Sequence, residues 1–186
     1  MDLMDMLLKG AGSSAIGEIA KNFNLDSNQT GSLLKKLGPA LGKGLQRNTQ
    51  SSGGLDSLMD ALRKGNHDRY LDNPSEITSP AAVEDGNGIL GHLFGDKEVS
   101  REVARRASAD TGISDSIIKK MLPMIAGVLM GSLSKQQKQE PNFADAFGGG
   151  GQSAGKPGGM LGSLLDADGD GSIMDDLMSM AGKFLR

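Results

Sequence analysis

Apolar residues recur at helical spacing along most of this chain. Ile16, Ile19, Ala20 and Phe23 share one face, Asn24-Leu25 interrupts, and a second stripe runs through Leu33, Leu34, Leu37, Leu41 and Leu45. Lys35, Lys36 and Lys43 are available for the opposite side, the arrangement of a helix with one face in a core and the other in water. Asp26-Ser27-Asn28-Gln29 has the pattern of a capping box, in which Asp26 accepts backbone N–H bonds and Gln29 reaches back. The same order returns later. Asp110-Thr111 is expected to open a helix in the same way, followed by Ile117, Ile118, Met121, Ile125, Val128, Leu129 and Leu133. Pro39 and Pro123 fall inside the two apolar stripes, where a missing N–H and a clash with the preceding turn predict a kink or a restart. No stretch alternates convincingly with the period of a strand, so the expected class is all-α.

That recurrence is a duplication. Sliding the chain by 84 residues aligns 16–48 with 100–132 without a gap, and eight of the 33 pairs are identical, among them Glu18/Glu102, Asp26/Asp110, Lys35/Lys119, Lys36/Lys120 and Pro39/Pro123. Chance at average amino-acid usage gives about two. The expected core is therefore two related helix-turn-helix-like units whose leucine-rich sides bury against each other. Shorter amphipathic helices at 3–10 and 58–65, each stopped by glycine, accompany it. Residues 66–88 read as a turn-rich connection. Seven of the twelve residues in 148–159 are glycine, the composition of a flexible linker. The expected organisation is a helical domain over 1–138, a glycine-rich linker over 139–159, and an Asp-rich loop with an amphipathic helix over 160–186.

Composition narrows the chemistry. With 28 Gly, 3% aromatic residues and neither Cys nor Trp in 186 residues, the core is built from Leu, Ile, Met, Val and Ala, and cysteine nucleophiles, disulfides and thiolate metal sites are excluded. The net charge of -3 argues against a wholly basic nucleic-acid coat. Charge is unevenly placed: 13–48 and 97–138 are basic, whereas 49–96 and 139–186 are acidic. The N-terminus is apolar but acidic, unlike a secretory signal, and the most apolar run, 121–133, is shorter than the roughly 20 residues of a membrane span. A cytoplasmic location without a membrane span is the expectation.

One motif carries candidate chemistry. Asp166-Ala167-Asp168-Gly169-Asp170-Gly171-Ser172-Ile173 opens like a calcium loop, in which alternating carboxylates curl around a hard cation and glycine permits the sharp turn. Asp166, Asp168 and Asp170 would ligate through side chains and Ser172 through its carbonyl. The twelfth loop position, where a bidentate Glu is usual, is Leu177, so Asp175 would have to close a shortened loop. The alternative is an acidic first turn of the last helix without metal. Residues 86–91 match G-x-G-x-x-G and 151–155 match G-x-S-x-G, but the strands those motifs need are missing, and the first reads as a glycine-rich turn before a helix. His67 and His92 are the only histidines, are far apart in sequence, and read as surface or structural groups. No acid, base and nucleophile can be grouped, so the expectation is a non-enzymatic interaction or structural module, with a protein partner or self-association.

DNA binding is the rival. Glu18-Ile19-Ala20, Asn24-Leu25, Thr30 and Leu33 approximate helix-turn-helix spacing, with Asn24 suited to the turn, Asn28 and Gln29 able to read adenine edges, and Lys35 and Lys36 able to reach phosphates. The apolar character of the second helix and the presence of Pro39 point instead to burial.

The run from Leu25 through Gly31-Ser32-Leu33-Leu34-Lys35-Lys36-Leu37-Gly38-Pro39-Ala40-Leu41, its second copy through Pro123, and the late Gly-Asp-Gly-Ser string resemble the YidB-like group of bacterial proteins, a domain of unknown function. The resemblance covers about residues 1–135 plus the terminal acidic loop. It implies an all-helical fold with homeodomain-like packing, and implies no activity, cofactor or catalytic residue.

Overall fold

The computed structural model describes Leu7, Gly10 and residues 12–139. Within 12–139 the chain forms α1 (Ser13–Asn22), α2 (Ser27–Gln50), α3 (Gly54–Lys64), α4 (Arg69–Asp72), a 3-10 helix (Pro74–Thr78), α5 (Pro80–Phe94), α6 (Lys97–Thr111) and α7 (Asp115–Gln139). No strand occurs among the described residues, so the fold is all-helical. The linker over 139–159 and the acidic loop and helix over 160–186 lie outside the described residues except for Gln139, as does nearly all of 3–10.

α2 forms as its sequence dictates. Asp26 Oδ1 accepts from Gln29 N at 2.8 Å and Gln29 Oε1 accepts from Asp26 N at 3.1 Å, so the capping box is complete. Asn24 takes the left-handed turn position, φ 54°, which its short polar side chain tolerates. Leu33, Leu37, Leu41 and Leu45 are fully buried, each contributing about 1.5–3 kcal/mol.

The second unit departs from the first by one helical turn. α6 runs through Asp110 and Thr111 instead of ending before them, and Gly112, φ 74°, closes it. Ser114, not Asp110, starts α7: its carbonyl accepts from Ile118 N at 3.1 Å and its hydroxyl from Ile117 N at 3.4 Å. The cause is the position of the residue able to adopt positive φ, which in the second unit lies one turn later than in the first. Asp110 instead pairs with Lys36 of α2 at 3.0 Å, tying the two units together.

Three further expectations are corrected. α2 and α7 continue through Pro39 and Pro123 without restarting; the carbonyls that lose a donor belong to Lys35 and Lys119, both exposed residues, where water can substitute. Residues 66–88 hold α4, the 3-10 helix and the first half of α5, because Ser79 caps Ala82 N at 3.2 Å and Pro80 pre-sets the first turn. The two leucine-rich helices do not pack mainly on each other. α3, α5 and α6 each pack against both of them, and α1 packs on α7 and the 3-10 helix.

α7 is the central element, with every residue from Met121 to Ser134 buried. By length and composition it is the one helix among the described residues apolar enough to cross a membrane, and 78% of its apolar window is buried inside the fold. Gly86 sets how closely α5 approaches it. A Cβ there would lie 2.0 Å from the Pro123 carbonyl oxygen. The first glycine of the G-x-G-x-x-G string is thus a helix-crossing contact inside α5, not part of a turn before a helix.

Candidate functional site

Two clefts open on either side of a ridge made by Asn48, His92 and Leu93. Asn48 at the end of α2 donates through Nδ2 to the His92 carbonyl at 3.1 Å, holding α2 against α5. Close approach is possible because α2 carries Gly44 there; a Cβ on it would lie 2.9 Å from the Leu93 carbonyl oxygen.

The first cleft, about 500 Å³, lies between α3, the segment after it, and α5. Its floor is apolar, with Leu58, Ile89, Leu93 and Met130, and its acidic groups are Asp60, Glu84 and Asp85. Asp60 pairs with Lys64 at 2.9 Å. Asp85 accepts from the Tyr70 hydroxyl and from Arg69 Nη2 at 3.0 Å, while the Arg69 guanidinium stacks 4.7 Å from the Tyr70 ring centroid. Burial pushes the Tyr70 hydroxyl up. Glu84 is exposed and has no ion pair among the described residues.

His67 lines this cleft too. It is 9% exposed, and its Nδ1 is buried without a hydrogen-bond partner. Burial is the main reason its imidazole titrates below the ordinary 6.5, with the Asp85 charge opposing. The ring packs where Gly65 leaves room, since a Cβ there would lie 2.1 Å from His67 Nε2. Gly65 itself has φ -75°, and the left-handed residue that ends this region is Asn66, φ 44°. Among the described residues no three His, Asp or Glu side chains converge as a metal cage. What this cleft offers is an apolar floor, a neutral imidazole and a carboxylate rim.

The second cleft, about 490 Å³, lies between α2, α5 and α6 and has the opposite charge. Lys43 and Arg47 project from α2 and Arg106 from α6. Arg106 shares Glu102 with Arg105, whereas Lys43 and Arg47 have no ion pair among the described residues. Phe94, Val99 and Val103 supply its apolar wall. Val99, 40% exposed, is the only large hydrophobic residue exposed among the described ones.

The residues singled out for DNA lie elsewhere on α2. Asn28 is exposed, Gln29 is committed to the capping box, Lys35 is exposed, and Lys36 pairs with Asp110. The calcium-type ligands Asp166, Asp168, Asp170, Ser172 and Asp175 lie outside the described residues. Neither cleft was visible in the sequence reading. His67 and His92, 25 residues apart, line one cleft because α4 and the 3-10 helix, in a segment whose sequence reads as a turn-rich connection, return the chain to α5. The available signal was the acidic segment 49–96 set against the basic segments on either side.

No curated protein and no solved structure matches this chain. A family model does, over residues 5–136, which includes α1 to most of α7 and everything that lines the two clefts. The chain belongs to the family described as bacterial protein of unknown function (DUF937).

Proposed function

We propose that this protein is a non-enzymatic interaction module that receives an apolar, acidic helix in the cleft between α2, α5 and α6. The carrying observation is Val99, an exposed β-branched side chain that lines one cleft with Phe94 and with two cations, Lys43 and Arg47, that have no ion pair among the described residues. An amphipathic helix with acidic flanks would bury the first and neutralise the second. A photo-reactive residue at position 99 tests it in living cells, with the same group at exposed Asp56 as control. Crosslinking from 99 to an acidic amphipathic segment, lost in Arg47→Glu, is the expected result. Equal labelling at 99 and 56, or none at 99, sinks the reading.

DNA binding is kept as a second reading because two helices, α1 and α2, are joined by a short turn at Asn24, and α2 carries four cations and no acid. It predicts salt-dependent DNA binding weakened by Lys35→Ala and Lys36→Ala; absence of binding at low salt removes it. The calcium expectation for Asp166 to Asp175 rests on spacing alone, and calorimetry with calcium on the native chain and on Asp168→Ala decides it.

A further inference from the structure

The cleft between α3, the segment after it, and α5 has the dimensions of a small-molecule site. Its volume is about 500 Å³, within the roughly 300–1,000 Å³ of ligand pockets. Leu58, Ile89, Leu93 and Met130 give it an apolar floor. Two of its lining residues have features that the fold itself leaves unused.

His67 is the first. It is 9% exposed, and of its two ring nitrogens Nδ1 is the one sealed from solvent without a partner. Nε2 is then the nitrogen that a molecule in the cleft can reach, and a neutral imidazole has one donor and one acceptor to offer. Gly88 is the second. It lies inside α5 on the cleft wall, where glycine costs about 1 kcal/mol relative to alanine, yet a Cβ built on it would meet nothing within 4 Å. Gly86 is required by the Pro123 backbone; no such crossing requires Gly88. What its missing side chain leaves is room in the cleft.

Charge selects the occupant. Three carboxylates and one ammonium line the cleft. Asp60 is matched by Lys64 at 2.9 Å and Asp85 by Arg69 at 3.0 Å. Glu84 is the carboxylate left unmatched among the described residues, and it stands one helical turn from Gly88 on the same side of α5. We propose that this cleft binds a small organic cation, a primary amine on an apolar body. The body lies on the floor in the space beside Gly88, the ammonium meets Glu84, and His67 supplies a hydrogen-bonding nitrogen. A carboxylate ligand would face an unmatched like charge, and a neutral ligand would draw nothing from Glu84. Lys43, Arg47 and Val99, which carry the helix-receiving reading, take no part in this site.

Three probes of one shape separate the ligand charges: phenylpropylamine, phenylpropanol and phenylpropanoate. Each is titrated into the full chain in mildly alkaline buffer while the Met130 methyl and His67 imidazole resonances are followed by NMR. Both resonances should move saturably with the amine at millimolar concentration or below, with the alcohol weaker and the carboxylate weakest. Glu84→Gln should weaken the amine about two- to fivefold, the worth of one exposed ion pair, and leave the alcohol unchanged. Gly88→Leu puts a side chain into the cleft from a position where the helix itself is favoured by the change. It should abolish binding of all three probes without lowering the denaturation midpoint.

Four results overturn the proposal: no saturable shift with any probe, a carboxylate that binds as tightly as the amine, an amine affinity indifferent to Glu84→Gln, or binding that survives Gly88→Leu. Each leaves photo-crosslinking from position 99 unaffected, so this site and the helix-receiving cleft fail separately.

Discussion

α2 and α7 share a sequence pattern and lie in opposite environments. α2 buries one face and shows water the other, which carries Lys35, Lys36, Lys43 and Arg47. α7 is buried on every side from Met121 to Ser134. The change responsible is small. At the 84-residue offset Lys43 corresponds to Gly127 and Arg47 to Gly131. Where α2 holds long cations, α7 holds hydrogen atoms, and α4 with its neighbours closes over the space. A Cβ at Gly131 would lie 2.6 Å from the His67 carbonyl oxygen, and one at Gly127 would lie 3.3 Å from Ile77 Cδ1. The same helical pattern gives a surface helix at α2 and a core helix at α7, where the face that is solvated in α2 lacks side chains and a connecting segment covers it.

The largest test reverses that exchange. Gly131→Arg restores the cation that α2 carries at the matching position and should cost more than about 4 kcal/mol, because it drives a charge into buried backbone. The mirror change, Arg47→Gly, should cost only about 1 kcal/mol, the helix penalty of glycine at an exposed position. Denaturant titration of both variants reads the asymmetry; equal losses would mean the two helices are not differently placed.

Next is the crossing of α5 over α7 at Gly86. Gly86→Ala puts a methyl group against the Pro123 backbone and should destabilise by about 2–3 kcal/mol. Gly88→Ala, two residues on in α5 with nothing within 4 Å, should instead be neutral or slightly stabilising.

A smaller effect separates the aligned aspartates. Asp26→Ala removes the capping box and should cost about 1 kcal/mol. Asp110→Ala removes an ion pair whose two side chains are each 51% exposed, and should cost less than about 0.5 kcal/mol. Similar losses would imply that Asp110 caps a helix after all.

The last test is a slope. His67 belongs to the cover that α7 has and α2 lacks, and burial lowers its proton affinity in the folded state. The unfolded chain therefore takes up the proton first, so stability is retained above about pH 6.5 and declines as pH falls through the lower folded value. In His67→Gln that part of the pH dependence should vanish, as read by denaturation midpoints at pH 5 to 8 relative to the native chain.

Periodicity and spacing were enough for local matters. The helical class, the stripe through Leu33 to Leu45, the Asp26 and Gln29 box and the Asn24 turn are all set by interactions within four or five residues, and each is written in adjacent side chains. The turn of the second unit was misplaced because Asp110 aligns with Asp26 in type, while Gly112 one turn later offers the cheaper left-handed residue. The short helices within 66–88 were missed because their proline, serine and asparagine are equally at home in caps and in loops.

What tertiary structure alone decided is which copy goes inside and where the clefts fall. Both depend on contacts between residues far apart in sequence: Gly86 on Pro123, Gly131 on His67, Asn48 on His92. A glycine in a helical pattern reads as a local penalty until a second backbone is seen resting against it. Charge, likewise, was legible as acidic and basic stretches, but only the packing of α5 against α2, α6 and α7 gathers those side chains around two neighbouring clefts.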